Sequence, residues 1–241
     1  MNRWGTALLG VLLCLPATPG PAHPQASTLA VTLHTTDGVA IAGTVVLPSR
    51  RPAPAVILLH MLARSRDDWQ AVAARLADAG IAAMAIDLRG HGASGTAEAA
   101  PSQDLGPALL DVQAARAFLK SRPDIATDRI GMAGASIGAN LAVLAAASDT
   151  SVRSLALLSA GLDYRGLRIE VAMKTYNERP ALIVASQEDP YAVRSAKQLA
   201  AAGSGLRDLR LLTGAGHGTA MLVGQPDLIG ALVDWFKRTL V

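Results

Sequence analysis

From Leu29 onward the chain alternates short apolar runs with longer stretches whose apolar residues recur every three or four positions. That is the pattern of strands followed by amphipathic helices. Leu29–Thr35 and Val39–Leu47 flank Asp37-Gly38, a pair that favours a tight hairpin turn. After a proline- and arginine-rich connection at 48–54, Ala55–His60 is continuously apolar, as suits a strand buried on both faces. A helix is predicted from Arg66 to Ala79, with Ser65 as its N-cap, Asp67 and Asp68 at its positive end and Gly80 as its stop. Strand Ile81–Ile86, a glycine-rich loop to Gly95 and a helix from Leu105 to Ser121 with Pro107 in its first turn come next. Strand Arg129–Met132, helix Ile137–Ala147 and strands Val152–Leu158 and Ala181–Ala185 follow. The chain closes with helix Tyr191–Ala202, strand Leu209–Leu212 and helix Pro226–Leu240. Such alternation predicts one α/β domain over residues 27–241. Its sheet is mostly parallel, has helices on both faces and opens with an N-terminal hairpin.

Gly134-Ala135-Ser136-Ile137-Gly138 falls where a strand turns into a helix. Small residues at 134 and 138 permit a strained turn that lifts the serine hydroxyl clear of the sheet, a nucleophile elbow. A serine hydroxyl near neutral pH needs a base, and the base needs an orienting group. His217 stands in the loop after the last strand, between Gly216 and Gly218, at the sheet edge where ligands of such folds bind. Ser186-Gln187-Glu188-Asp189-Pro190 supplies the acid after strand Ala181–Ala185. Asp189 is the choice, because Pro190 and the helix behind it fix its backbone; Glu188 is the rival. The order Ser136, Asp189, His217 is the one expected of an α/β-hydrolase.

An oxyanion needs backbone donors. Ile137 N–H opens a helix and has no partner within it. The second donor is expected from the loop after Ala55–His60, from Leu62 N–H first and Met61 N–H second. Met61 and Tyr164 are candidate substrate contacts.

With these residues in view, the sequence resembles the α/β-hydrolase family, and within it the compact dienelactone-hydrolase-like and esterase-like members. The resemblance rests on Leu58-Leu59-His60, the loop Asp87-Leu88-Arg89-Gly90-His91-Gly92-Ala93-Ser94, the elbow, Glu188-Asp189-Pro190 and Gly216-His217-Gly218. It implies that His91 orders a loop and that His60 is a structural strand-end histidine. Two positions depart from the pattern. Met61 stands where many hydrolases carry glycine, and Ser136 replaces the cysteine of a dienelactone hydrolase proper, which favours ordinary ester hydrolysis. The short connection 159–180 leaves room for a loop and one short helix, so a minimal lid and an open site for small acyl groups are expected. The expected function is cleavage of small or short-chain carboxylic esters. The alternatives are a peptidase of prolyl-oligopeptidase-like type and a non-catalytic binding protein on the hydrolase fold.

Composition narrows the partners. The 241 residues are 51% hydrophobic with a formal net charge of +3, and no run of like charges points to nucleic acid. Arg64 and Arg66 could attract an anionic substrate; pairing with Asp67 or Asp68 is the plainer expectation. No phosphate loop, dinucleotide fingerprint or metal cluster is present in the sequence, so neither cofactor nor metal is expected. Arg3 followed by the apolar run Ala7–Leu15 and Pro16 reads as a signal peptide over residues 1–22, too short to span a bilayer comfortably. Export to the periplasm or beyond the cell follows, with no membrane span after signal removal; an N-terminal anchor is the alternative. Cys14, the one cysteine, lies inside that run, so the mature chain has no disulfide. Oligomeric state is not legible.

Overall fold

The computed structural model describes residues 26–95 and 105–241. The segment read as a signal peptide, residues 1–22 with Cys14, lies outside the described residues, as does His23.

Strands β1 (Ser27–His34) and β2 (Ala40–Leu47) form the expected antiparallel hairpin around Asp37-Gly38. β3 (Ala53–Leu59), β4 (Ala82–Ile86), β5 (Ile125–Ala135) and β6 (Val152–Leu158) follow. A separate two-residue pair, β7 (Asp163–Tyr164) and β8 (Leu167–Arg168), precedes β9 (Ala181–Ser186) and β10 (Arg207–Leu212). The main sheet runs β1-β2-β4-β3-β5-β6-β9-β10; β2 meets β4 antiparallel, and every later pairing is parallel.

Alternation along each strand sends side chains to two cores, which is why both sheet faces are covered. Ile57 and Leu59 of β3, Met84 and Ile86 of β4, and Leu155 and Leu157 of β6 face one side. There they meet α2 (Ala108–Lys120), α3 (Ile137–Ser148), α4 (Glu170–Tyr176) and α5 (Pro190–Ala200). Val56 and Leu58, Ala83 and Ala85, and Ala156 and Leu158 face the other. That face carries α1 (Gln70–Asp78), α6 (Met221–Gly224) and α7 (Asp227–Leu240). Its strand residues are largely small, and the buried rings of Trp69, Trp235 and Phe236 fill the space they leave. At Gly131 a side chain would collide with Phe236.

Three details differ from the sequence reading. The segment expected to be a helix from Arg66 opens as a 3-10 turn, Arg66–Trp69, before α1; Ser65 does accept from Asp67 N–H, at 3.3 Å. β5 begins at Ile125, although Thr127, Asp128 and Arg129 are polar. Connection 159–180 holds the β7–β8 hairpin as well as one short helix, α4.

The loop 87–94 braces the sheet's antiparallel side. Asp87, buried, accepts Arg66 N–H at 2.7 Å and Ala93 N–H at 2.8 Å and pairs with the Arg66 guanidinium. Its carboxylate fills the space a side chain at Gly92 would need. Arg89 joins buried Asp111 of α2 (2.8 Å) to Asp37 of the β1–β2 turn (2.7 Å). Arg89 and the Thr35 hydroxyl hold the Asp37 carboxyl down at about 2. Among the described residues no helix is long and apolar enough to cross a membrane.

Candidate active site

The elbow forms because two backbones touch where most residues would carry a Cβ. A Cβ on Gly134 would strike the Gly138 carbonyl, and one on Gly138 would strike the carbonyl oxygens of Leu59 and His60. Two glycines therefore let α3 start directly against the ends of β5 and β3. Ser136 between them takes φ +51° and ψ −116°, a left-handed conformation costing about 1–3 kcal/mol. Hydrogen bonds hold it there: its N–H donates to Leu158 O at 2.8 Å, and its carbonyl accepts from Ala139 N–H and Asn140 N–H. The residue is 4% exposed. Ile137 N–H is the first of α3 and so lies beyond the helix's own hydrogen-bond ladder.

Asp189 caps α5. Its Oδ1 accepts Ala192 N–H at 3.0 Å, Pro190 occupies the first turn, and the positive helix end favours the carboxylate. Oδ2 is thereby turned to His217 Nδ1, 2.6 Å away. Glu188 goes elsewhere: its Oε2 accepts the Ser186 hydroxyl at 2.5 Å. That bond and the Gly214 N–H keep its carboxyl below the ordinary range.

The His217 loop is laid against the elbow by its neighbour. Gly218 N–H donates to Ser159 Oγ at 3.0 Å. Ser159 is buried, has φ +51° and directly follows Leu158, the residue that accepts from Ser136 N–H. Space for a side chain at Gly218 is already taken by Met61 Sδ, with Ala135 Cβ close by.

The expected oxyanion loop turns sharply after β3. Ala63 has φ +58°, and Arg64 N–H closes the turn on Met61 O at 3.3 Å. Met61 and Leu62 are half-buried on opposite cores, Met61 on the sheet face that carries α1, α6 and α7 and Leu62 on the face that carries α2 to α5. Buried His60 fixes the turn from below. Leu88 N–H can only donate, so His60 Nε2 must accept from it (2.9 Å), which leaves Nδ1–H to donate to Met61 O (2.7 Å). Burial pulls His60 below its ordinary 6.5. A group so shifted binds its proton more readily when unfolded, so its contribution to stability is complete above about pH 6.5 and is lost as pH falls through that value. Urea midpoints measured at pH 7.5 and 5.5 should show this loss in the wild type and less of it in His60→Ala. That variant should itself cost about 2–4 kcal/mol, because two buried polar groups lose their partner.

Tyr164 sits on the β7–β8 hairpin, half-buried against the α3 side of the core. Arg64 pairs with Asp68 at 2.7 Å, whereas Arg66 pairs with Asp87, a partner remote in sequence. Residues absent from the sequence reading also shape the site. Asn140, one helical turn after Ser136, donates to Gly161 O and Leu167 O, both at 2.8 Å, and accepts Gly161 N–H at 3.1 Å. Tyr191 OH and Ser195 Oγ hold Asp163 and Leu162. The short connection is thus tied to both α3 and α5. A buried asparagine within the most apolar helix was the one sequence signal of this. Among the described residues no group of three or more His, Cys, Asp or Glu stands placed to hold a metal ion.

Residues 50–177 match the family model described as serine aminopeptidase, S33. No curated protein matches the chain in sequence. Among solved structures, a dienelactone hydrolase from Anabaena variabilis is 21% identical with a TM-score of 0.71, covering 90% of this chain and 100% of its own. An esterase from Pyrococcus furiosus is 18% identical with a TM-score of 0.72, over 90% and 94% of the two chains. An acetyl xylan esterase from Paenibacillus sp. R4 is also 18% identical, with a TM-score of 0.74 over 92% and 90%. The common fold is the α/β-hydrolase fold, and the sheet order and parallel pairings described above are its framework.

Proposed function

We propose, for a chain that belongs to the serine aminopeptidase S33 family, a serine hydrolase that cleaves small or short-chain carboxylic esters through an acyl-enzyme. Ser136 Oγ attacks the acyl carbon, and His217 Nε2 takes its proton and returns it to the leaving alcohol. Asp189 orients the ring and stabilises its protonated form. Ile137 N–H and Leu62 N–H receive the oxyanion, with Met61 N–H as the second choice for the latter. Met61 and Tyr164 border the acyl group. The single observation that carries the reading is the 2.6 Å bond from His217 Nδ1 to Asp189, which leaves Nε2 free of the acid and able to serve as the base for the strained, helix-starting serine. The pinned hairpin in place of an inserted lid supports small acyl groups. Export is in keeping with Arg3 and the short apolar run behind it.

A peptidase is the second reading, favoured by the description of the matching family. One experiment separates the readings. The purified protein is treated with a fluorophosphonate, then assayed on p-nitrophenyl esters of graded acyl length and on aminoacyl p-nitroanilides. The expected result is one label per chain and the highest kcat/KM on acetyl and butyryl esters. Highest kcat/KM on the anilides would establish the peptidase instead. Folded protein that takes no label would leave a binding protein.

A further inference from the structure

Asp68 joins two loops that the proposed reaction needs at once. It lies in the 3-10 turn just after the oxyanion loop, and its side chain is 11% exposed. Three contacts bind its carboxylate to Arg64, at the end of that loop: Nε to Oδ1 (3.1 Å), Nε to Oδ2 (2.9 Å) and Nη2 to Oδ1 (2.7 Å). Oδ2 also accepts the hydroxyl of Thr219, 151 positions away along the chain. Thr219 is buried and stands two residues after His217, in the 3-10 turn that His217 opens.

Burial works against the charge on Asp68, yet Arg64 and Thr219 together hold its carboxyl below the ordinary value. The site is thus a largely buried, charged carboxylate held between Arg64 and Thr219. The His217 loop needs such an anchor. Its ring is 49% exposed, so packing alone does not immobilise it. Asp189 restrains the ring at Nδ1 only, leaving the backbone beneath it to be placed by other groups. Ser159 Oγ holds that backbone at Gly218 N–H, and Asp68 holds the next residue through the Thr219 hydroxyl.

We propose that Asp68 is a positioning residue: anchored by Arg64 to the oxyanion loop, its carboxylate holds Thr219 and so fixes His217 relative to both Ser136 and the oxyanion donors. The inference rests on the esterase reading above for its kinetic consequence and on geometry alone for its structural one. Small displacements of a catalytic base are costly, since about 1 Å can lower rate a hundredfold.

Thr219→Val, nearly isosteric and without the hydroxyl, is compared with Thr219→Ser, which keeps it; Thr219→Ala replaces the valine variant if that does not fold. Expected for Thr219→Val is a kcat on p-nitrophenyl acetate at least tenfold below wild type, at unchanged KM, with Thr219→Ser close to wild type. A second measurement does not depend on turnover. The downfield proton resonance of His217 Nδ1–H should be sharp in wild type and Thr219→Ser, and broadened or lost by exchange in Thr219→Val. Equal resonances in all three proteins, or a wild-type kcat in folded Thr219→Val, would overturn the tether. Wild type without esterase activity but with the expected resonance pattern would overturn the reaction and leave the tether standing.

Discussion

Ser136→Ala is expected to lower kcat by about 10⁶-fold while leaving ester binding in place, because the alanine enzyme keeps its oxyanion donors and loses only the attacking atom. Folding should not suffer. Replacing a serine held at φ +51° by alanine leaves the backbone bonds to Leu158, Ala139 and Asn140 intact. Asp189→Asn extends the test to the acid. An asparagine still caps α5 through its side-chain oxygen, so the helix stays, but its amide at His217 Nδ1 imposes the wrong ring tautomer. A loss of about 10⁴-fold is expected for that reason. Glu188→Gln should cost far less, since Glu188 bonds to Ser186 and Gly214, not to the base. Steady-state kinetics on p-nitrophenyl acetate with the three variants decides the assignment. Equal losses at 188 and 189 would exclude this division of labour, and appreciable turnover in Ser136→Ala would exclude the nucleophile.

Gly138→Ala is expected to be strongly damaging although the added methyl group touches no reacting side chain. Its Cβ would fall on the carbonyl oxygens of Leu59 and His60, which are backbone atoms that cannot rotate aside. Relief requires the start of α3 to move away from the end of β3. Overpacking of this kind costs about 3 kcal/mol, and for a domain this size each kcal/mol shifts Tm by roughly 2–4 °C. A drop of about 6–12 °C follows from those two figures. The same movement separates Ile137 N–H from the loop that carries Leu62, so it opens the proposed oxyanion hole. One lost donor is worth about 10²–10³-fold in kcat, and activity at 25 °C should fall by that order even though the variant is folded there. Melting curves and kcat measured on the same preparation test both halves. A wild-type Tm would mean that the backbone contact is not as tight as described.

What was legible in the sequence is what local chemistry dictates. The turn at Asp37-Gly38, the capping serine at 65 and the two glycines of the elbow each need only their neighbours. Asp189 is preferred over Glu188 on the sequence because Pro190 and the helix behind it fix its backbone; that it caps α5 and meets His217 appears only in the structure. The rest depended on partners far along the chain. Arg66 pairs with Asp87 because β3 and β4 are neighbours in the sheet, a fact that no spacing around Arg66 contains. β5 extends back to Ile125 through polar Thr127, Asp128 and Arg129, because the exposed end of a strand can be polar on both sides. The β7–β8 hairpin has two residues per strand, too few to show any period. Nothing around Thr219 in the sequence points to Asp68, 151 positions away.

The separation of 151 residues between those two has a consequence for how the protein comes into being. Contacts between distant positions form late, because a long loop must close before they reward it. The proposed nucleophile, acid and base also arrive from the ends of β5, β9 and β10, while the proposed donor loop follows β3. A fragment ending with α3 would carry the proposed nucleophile and donor loop but neither the acid nor the base. Competence comes with the last closure. During refolding, reactivity at Ser136 is a report on the completed molecule, where circular dichroism reports only on its parts.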